Sequence, residues 1–421
     1  MKKNILLLIL FLTFNIACAF STESIRQSNK KKLSFSTDLL KESKVLSQHA
    51  KCYQISNDNI VSTPEFVEGI IYSISTKGVV SAYSVQEKRI LWDTDTMQGM
   101  INKKCPCGEV MYNNNILYVT NCSRDLIMLD AKSGDEILRK RYPDIINKKP
   151  VIAKDKLLLV QTISNQLIAC NIETLNFAWC HEGRIGSVSI KNYNDVQPFI
   201  YNNMAIASYS SGEIVSIDIQ SGKDLWCYNL NNITDTSLSK FNLSIVSTMP
   251  VFDKEYAYFC TSTGKIIKID LDNGAPVWVK NIEDDSHYIQ SISLIDNYLL
   301  VTHNDFRVHQ VSVLSAHNGQ IIWTGELMIK KDSDQLLSFL NYNVVFYAPF
   351  VLHQDDGNFV ISVVGSHGKI YNFVSDSDGF VSFKPIIKNI KNTSIIDRYI
   401  INSLLLYKNH IYLINGCNII Y

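Results

Sequence analysis

Proline and glycine are scarce, at 9 and 18 of 421 residues, and charged residues make up only 19%. Collagen-like and disordered chains need an excess of one of these classes, so both are excluded. Neither sign of charge dominates. Forty Lys and Arg face forty Asp and Glu, which leaves no net field to draw the protein to nucleic acid or to an anionic membrane surface. Beyond the N-terminal leader no apolar stretch reaches the roughly 18 to 20 residues that a spanning helix requires. Cysteine is present but gives no readable disulfide framework: beyond Cys18 the number is odd and the spacings are scattered. Cys105-Pro106-Cys107 reads as a surface loop with two thiols or one local bridge, because no second pair or His cluster stands at zinc-ligand spacing. Cys170, Cys227 and Cys260 sit in strand-like runs, where a small buried hydrophobe is the default.

What is present begins with a leader. Met1-Lys2-Lys3 is basic, Ile5 to Phe14 is a short apolar run, and Ala17 and Ala19 follow, which is the order of a secretory signal peptide over residues 1–19. Two cleavage sites compete. Ile16-Ala17-Cys18 has the form of a lipobox, which would make Cys18 the lipidated first residue, although Asn15 stands where Leu is preferred. Ala17-Cys18-Ala19 also suits ordinary signal peptidase, releasing a chain that begins at Phe20. The first reading is adopted, because a Cys at the end of a leader is otherwise uncommon. Residues 20–32 are polar, basic and aperiodic, as a tether would be. The expected location is the periplasmic face of the outer membrane through a lipid, with a soluble periplasmic protein as the alternative.

The remaining chain repeats. Gly212, Asp218, Gly222 and Trp226 are spaced as are Gly264, Asp270, Gly274 and Trp278, the first Gly 14, the Asp 8 and the second Gly 4 residues before the Trp. The same frame fits Gly78 to Trp92, Asn165 to Trp179 and, with Leu138 in place of Trp, Arg124 through Asp130 and Gly134. More loosely it fits Gly319 to Trp323 and Gly368 through Gly379 to Phe383. Runs such as Ile116-Leu117-Tyr118-Val119 and Tyr256-Ala257-Tyr258-Phe259 precede each copy and read as strands bounded by turn residues. Four antiparallel strands per copy is a propeller blade. From Trp92 to Trp323 is 231 residues over five steps, about 46 each, as blades have.

The expected fold is therefore all-β: an eight-bladed propeller of four-stranded antiparallel blades over residues 33–421. The copy at Asn409 to Tyr421 stops before its Trp strand, so an N-terminal strand, Leu33 to Leu39, is expected to close the ring in the last blade. The five Trp are structural in this reading, and each repeat Asp should accept hydrogen bonds from turn amides.

The repeat resembles that of the quinoprotein-like propellers. Together with the leader, the blade count and the clipped end, it resembles the family of outer-membrane assembly factors called BamB. That resemblance implies a non-enzymatic periplasmic scaffold of the β-barrel assembly machine. It docks on the periplasmic domains of the barrel-inserting subunit, with unfolded outer-membrane proteins as further candidate partners. Ser187, Val188, Ser189, Ile190 and Lys191 follow Trp179 where the family carries an exposed Ser-Leu-Ser-Leu-Arg contact segment, so these five are the implied partner-binding residues. Ile245 to Pro250 departs from the family by lacking acidic residues, which puts the second half of that contact in doubt. An ordinary strand with Val188 and Ile190 on one face is the competing reading of 187–191.

The alternative from another class is a quinone-dependent dehydrogenase, because those enzymes share the blades. They are expected to carry an adjacent Cys-Cys pair and a calcium set of Glu and Asn with a catalytic Asp. No Cys-Cys dipeptide occurs, and Asp376-Ser377-Asp378-Gly379 lacks the downstream Glu of a calcium loop. His303, His309 and His317 along one blade read as exposed or strand-end histidines. No cofactor, metal or catalytic residue is assigned. A cytosolic signalling propeller fits less well, since Trp92-Asp93 is the sole Trp-Asp pair.

Overall fold

The computed structural model describes residues 52–420 apart from 101–102, 106, 154–155, 184–195, 232–243, 283–287, 305–308, 328–349, 354–358, 366–368, 376–382, 390–400, 408–409 and 416–417. Among the described residues there is no helix, and the strands form eight four-stranded antiparallel sheets. Strand order follows chain order in seven of them. The first sheet holds Glu65–Val67, Ile70–Ile74, Val79–Ser84 and Arg89–Asp95, and the second holds Glu109–Asn113, Ile116–Thr120, Asp125–Asp130 and Glu136–Arg141. The third runs from Val151–Ile152 through Leu157–Gln161 and Gln166–Asn171 to Phe177–Glu182, the fourth from Phe199–Tyr201 through Met204–Ser208 and Glu213–Asp218 to Asp224–Asn229. The fifth ends at Pro276–Asn281, the sixth at Ile321–Leu327 and the seventh at Phe383–Asn389.

The eighth sheet is the exception, and it corrects the position of the expected closing strand. Beside Ile401–Tyr407, His410–Asn415 and Asn418–Ile420, its fourth strand comes from the N-terminal side of the chain, but it is Cys52–Gln54. Residues 33–39 lie outside the described residues. Counting back from the proline that opens the first sheet explains the shift. Gln54, the end of this strand, lies about as far before Pro64 as Arg141, the end of the second sheet's outer strand, lies before Pro150.

Those prolines have a fixed place. Pro64, Pro150, Pro198 and Pro250 each immediately precede the first strand of a sheet, where a missing N–H removes no ladder bond. Second and third strands are buried almost throughout, as at Leu157–Gln161 and Glu213–Asp218, whereas outer strands such as Glu136–Arg141 are half open. Their apolar residues pack between successive sheets: Tyr72, Val80 and Ala82 against Leu117, Ile127 and Leu129, and Leu159, Leu167 and Ala169 against Ala205, Val215 and Ile217. Each fully buried Val, Leu or Ile among them contributes about 1.5–3 kcal/mol, and each Ala less.

The chain falls into two compact units, one of Tyr53–Val246 with Asp270–Ala275, the other containing Ser247–Ile269 and Pro276–Tyr421. In the first unit each Trp joins a sheet to the turn that follows. Trp92, Trp179 and Trp226 donate their Nε1–H to the carbonyls of Ala131, Ile219 and Leu271, at 3.1, 2.8 and 2.9 Å. Each indole lies flat on the turn glycine: a Cβ on Gly134, Gly222 or Gly274 would come within 2.5 to 2.7 Å of the ring. The second unit repeats the device with Trp278, Ala316 and Gly319. Leu138 replaces Trp in the second sheet, and the third sheet answers it. Leu175 stands in the glycine position and keeps the left-handed backbone (φ +53°). Tyr118 donates to the Ile172 carbonyl at 3.1 Å, as Tyr72 does to Ala131 beside Trp92, and Tyr142 adds a donation to the Leu175 carbonyl at 2.9 Å.

The repeat aspartates behave as the sequence implies. Asp130, Asp218 and Asp270 accept hydrogen bonds from turn amides two and three residues on, and Asn171 does the same in the third sheet. The amides of Ser133 and Lys132 hold the Asp130 carboxyl below the usual range, and the hydroxyl and amide of Ser221 do so for Asp218.

Candidate docking site and its support

Cys18 and the segment Ser187 to Lys191 both lie outside the described residues, as does Asp376 to Gly379. What the structure describes is the frame from which residues 184–195 leave and to which they return. On the departing side are His181, Glu182 and Gly183, at the end of the third sheet's outer strand; on the returning side Val196, Gln197 and Phe199 are buried.

The departing side departs from the repeat. In the turn after the second strand the first, second, third and fifth sheets carry Ser75, Asn121, Thr162 and Thr261, of which the hydroxyls of Ser75, Thr162 and Thr261 receive turn amides. The fourth sheet has Tyr209 there, fully buried. Its ring stacks on the His181 imidazole at 5.6 Å between centroids, and its hydroxyl lies 2.7 Å from Nδ1. The other ring nitrogen, Nε2, lies 2.6 Å from an oxygen of exposed Asp224 on the fourth sheet's outer strand. Gly183 rests on the face of the same tyrosine, where a Cβ would be 2.5 Å from the ring, and its amide donates to the Asn165 carbonyl at 2.8 Å. Asn165 in turn is tied to Ser210 through both its amide nitrogen and its carbonyl oxygen, at 2.7 and 3.0 Å. Burial pushes the Tyr209 phenol well above its ordinary value, with nearby Cys180, Asp224, Glu213 and Cys227 adding to the effect, so it is protonated and donates. Nε2 therefore carries the imidazole hydrogen and gives it to Asp224.

A second polar cluster ties the first sheet to the second. Asp125, almost fully buried, accepts from Arg141 Nε at 2.8 Å and from Arg139 Nη1 at 3.4 Å, while Arg139 also donates to the Thr96 carbonyl. Burial alone would raise this carboxyl, but the two guanidinium groups together hold it below its ordinary range. Lys149 pairs with Glu65 at 2.8 Å, linking the approach to the third sheet with the first strand of the first. In the second unit Lys268 is buried over the Tyr256 ring, 4.0 Å from its centroid, and donates to the Ala316 carbonyl; burial lowers its ammonium.

Several residues differ from expectation. His303 and His309 are buried, His303 Nε2 lying 2.8 Å from Ser312 Oγ, whereas His317 is exposed. Cys107 is bonded to Cys122, with Cα atoms 5.5 Å apart, and Cys105 is buried beside it, its thiol pushed up to about 12 by burial. Cys170 and Cys260 are buried as expected, but Cys227 faces solvent from an outer strand. Among the described residues no three His, Cys, Asp or Glu gather as metal ligands, and no helix is long and apolar enough to cross a membrane.

Residues 76–325 match the family model described as outer membrane protein assembly factor BamB. The chain belongs to this family. A protein of Rickettsia conorii described as uncharacterized is 32% identical over 366 residues, covering 87% of this chain and 83% of that one. Among solved structures, BamB from Moraxella catarrhalis superposes with a TM-score of 0.61 at 14% identity, over 88% of this chain and 99% of that chain. The quinohemoprotein alcohol dehydrogenase of Comamonas testosteroni gives 0.57 at 11%, over 87% of this chain and 72% of that chain. Both likenesses are to the propeller fold, which BamB-family and quinoprotein chains share.

Proposed function

We propose that this BamB-family chain is a non-enzymatic scaffold of the outer-membrane β-barrel assembly machine, held at the periplasmic face of the outer membrane by a lipid on Cys18. It docks on the periplasmic domains of the barrel-inserting subunit through Ser187, Val188, Ser189, Ile190 and Lys191. The family match over residues 76–325, which contains this segment, carries the reading. A small apolar pair beside a cation suits an exposed strand edge or acidic rim on a partner. Burying both side chains contributes a few kcal/mol at most, roughly enough to matter in a modest interface. Val188→Asp with Ile190→Asp is expected to abolish co-purification of the barrel-inserting subunit with melting temperature unchanged, and Lys191→Glu to weaken it in a salt-dependent way. A folded double variant that still binds places the contact elsewhere; one that unfolds makes the segment blade core.

The likeness to a quinohemoprotein dehydrogenase keeps one second reading open to test, quinone-dependent oxidation of a small periplasmic substrate. The sequence lacks the adjacent Cys-Cys pair expected of such an enzyme. Absorption spectra of the purified chain after incubation with pyrroloquinoline quinone separate the two: retained quinone supports the enzyme, and its complete loss on desalting supports the scaffold.

A further inference from the structure

In a repeat protein the neighbouring copies show what the fold alone requires, so a group that breaks the frame at one junction needs its own account. The His181, Tyr209 and Asp224 group is such a break. We infer that His181 is a proton-sensitive positioning residue. Neutral, it clamps the end of the third sheet's outer strand, at Gly183, onto Tyr209 of the fourth sheet; protonated, it releases it. The inference rests on the docking assigned above to Ser187–Lys191 for its consequence, but the clamp itself stands on described residues.

The hydrogen-bond roles decide the direction. The neutral imidazole accepts the Tyr209 hydroxyl proton at Nδ1, 2.7 Å away, and donates from Nε2 to Asp224, 2.6 Å away. Both nitrogens are then satisfied. A second proton must go to Nδ1, where it faces the phenol hydrogen. Tyr209 then has to turn from donor to acceptor, and its hydroxyl gives up the hydrogen bond it makes among the described residues. Charging the ring does strengthen the pair with Asp224. That carboxylate is exposed, however, where an ion pair gains little, whereas the phenol is fully buried, where a donor without an acceptor is expensive. The buried loss outweighs the surface gain.

Other titratable groups face this cluster from each element packed against it. Cys180 and Glu182 come from His181's own strand, Glu213 from the fourth sheet's third strand, and Asp224 and Cys227 from its outer strand. Burial raises Cys180 to about 11, so it stays neutral, and Glu182 is engaged by Gln166 at 3.0 Å. Between the first and second sheets the tie is made instead by Arg139, paired with Asp125 and donating to the Thr96 carbonyl, groups that keep their charge near neutrality. Histidine in general is the side chain whose charge changes between about pH 5 and 8.

Hydrogen exchange at the Gly183 amide, which bonds to Asn165, reads the clamp directly. In the full chain the protection of this amide, corrected for the intrinsic rate, is expected to fall about tenfold between about pH 8 and pH 5. Tyr209→Phe, which keeps the plate under Gly183 and removes only the hydroxyl, is expected to abolish that pH step while leaving the melting temperature within a few degrees. His181→Gln is expected to do the same. Unaltered protection of Gly183 across the pH range, or a pH step that survives Tyr209→Phe, overturns the clamp. Co-purification of the barrel-inserting subunit is then measured on the same variants. Loosening of Gly183 with weaker docking supports both clamp and docking segment; loosening with full docking keeps the clamp and refutes docking through Ser187–Lys191.

Discussion

At the scale of single residues the repeat is a set of matched pairs. A Trp on one sheet needs a glycine on the next turn, because the indole occupies the space of a side chain, and where the Trp is missing the glycine is missing too. Trp179 and Gly222 show the first case, Leu138 and Leu175 the second. Gly222→Ala is expected to destabilise the chain by roughly 2–4 kcal/mol, combining a φ of +70° with overlap of the indole. Leu138→Trp and Leu175→Gly should be individually harmful yet less than additive together, with a coupling of about 1 kcal/mol or more by chemical denaturation. Strictly additive losses would remove the pairing. Asp125 supplies the residue-scale pH dependence. Its carboxyl is depressed in the folded protein, so its contribution is present above the ordinary unfolded value of about 3.9 and is lost as pH falls through the lower folded value. Asp125→Asn is expected to lower stability at neutral pH by about 1–3 kcal/mol and to flatten the acid limb of a denaturation series.

At the scale of elements, much of the structure was legible because the repeat spaces its turns by fixed numbers of residues. Trp, turn Asp and turn Gly fall in one frame, and strands, register and cap bonds followed that frame. The last sheet's fourth strand was placed too early because its aromatic, Tyr53, stands outside a recognisable Gly-to-Trp frame; counting back from Pro64 would have found it. Tyr53→Pro, which fixes the backbone of this three-residue strand in a conformation other than an extended ladder, is expected to lower the melting temperature or cause aggregation. An unchanged melting curve would contradict its part in the eighth sheet. The Cys107–Cys122 bond joins positions 15 apart across a turn, a proximity that spacing alone does not reveal. Likewise Tyr209 is a plain aromatic in the sequence, and only the fold brings it against His181 and Asp224.

At the scale of the whole molecule, the shared blade is what makes function hard to read. One packing solution serves assembly factors and dehydrogenases alike, so fold and family rest on the repeat while the role rests on what a few connections present. The chain belongs to the BamB family, and the central proposal is that it works by binding the barrel-assembly machine. The most direct test is affinity purification of the full-length chain from membranes after mild solubilisation, with identification of the proteins that accompany it. The account predicts a barrel-inserting outer-membrane protein in near-stoichiometric amount; recovery of the chain without any such protein, at salt low enough to keep polar contacts, would contradict it.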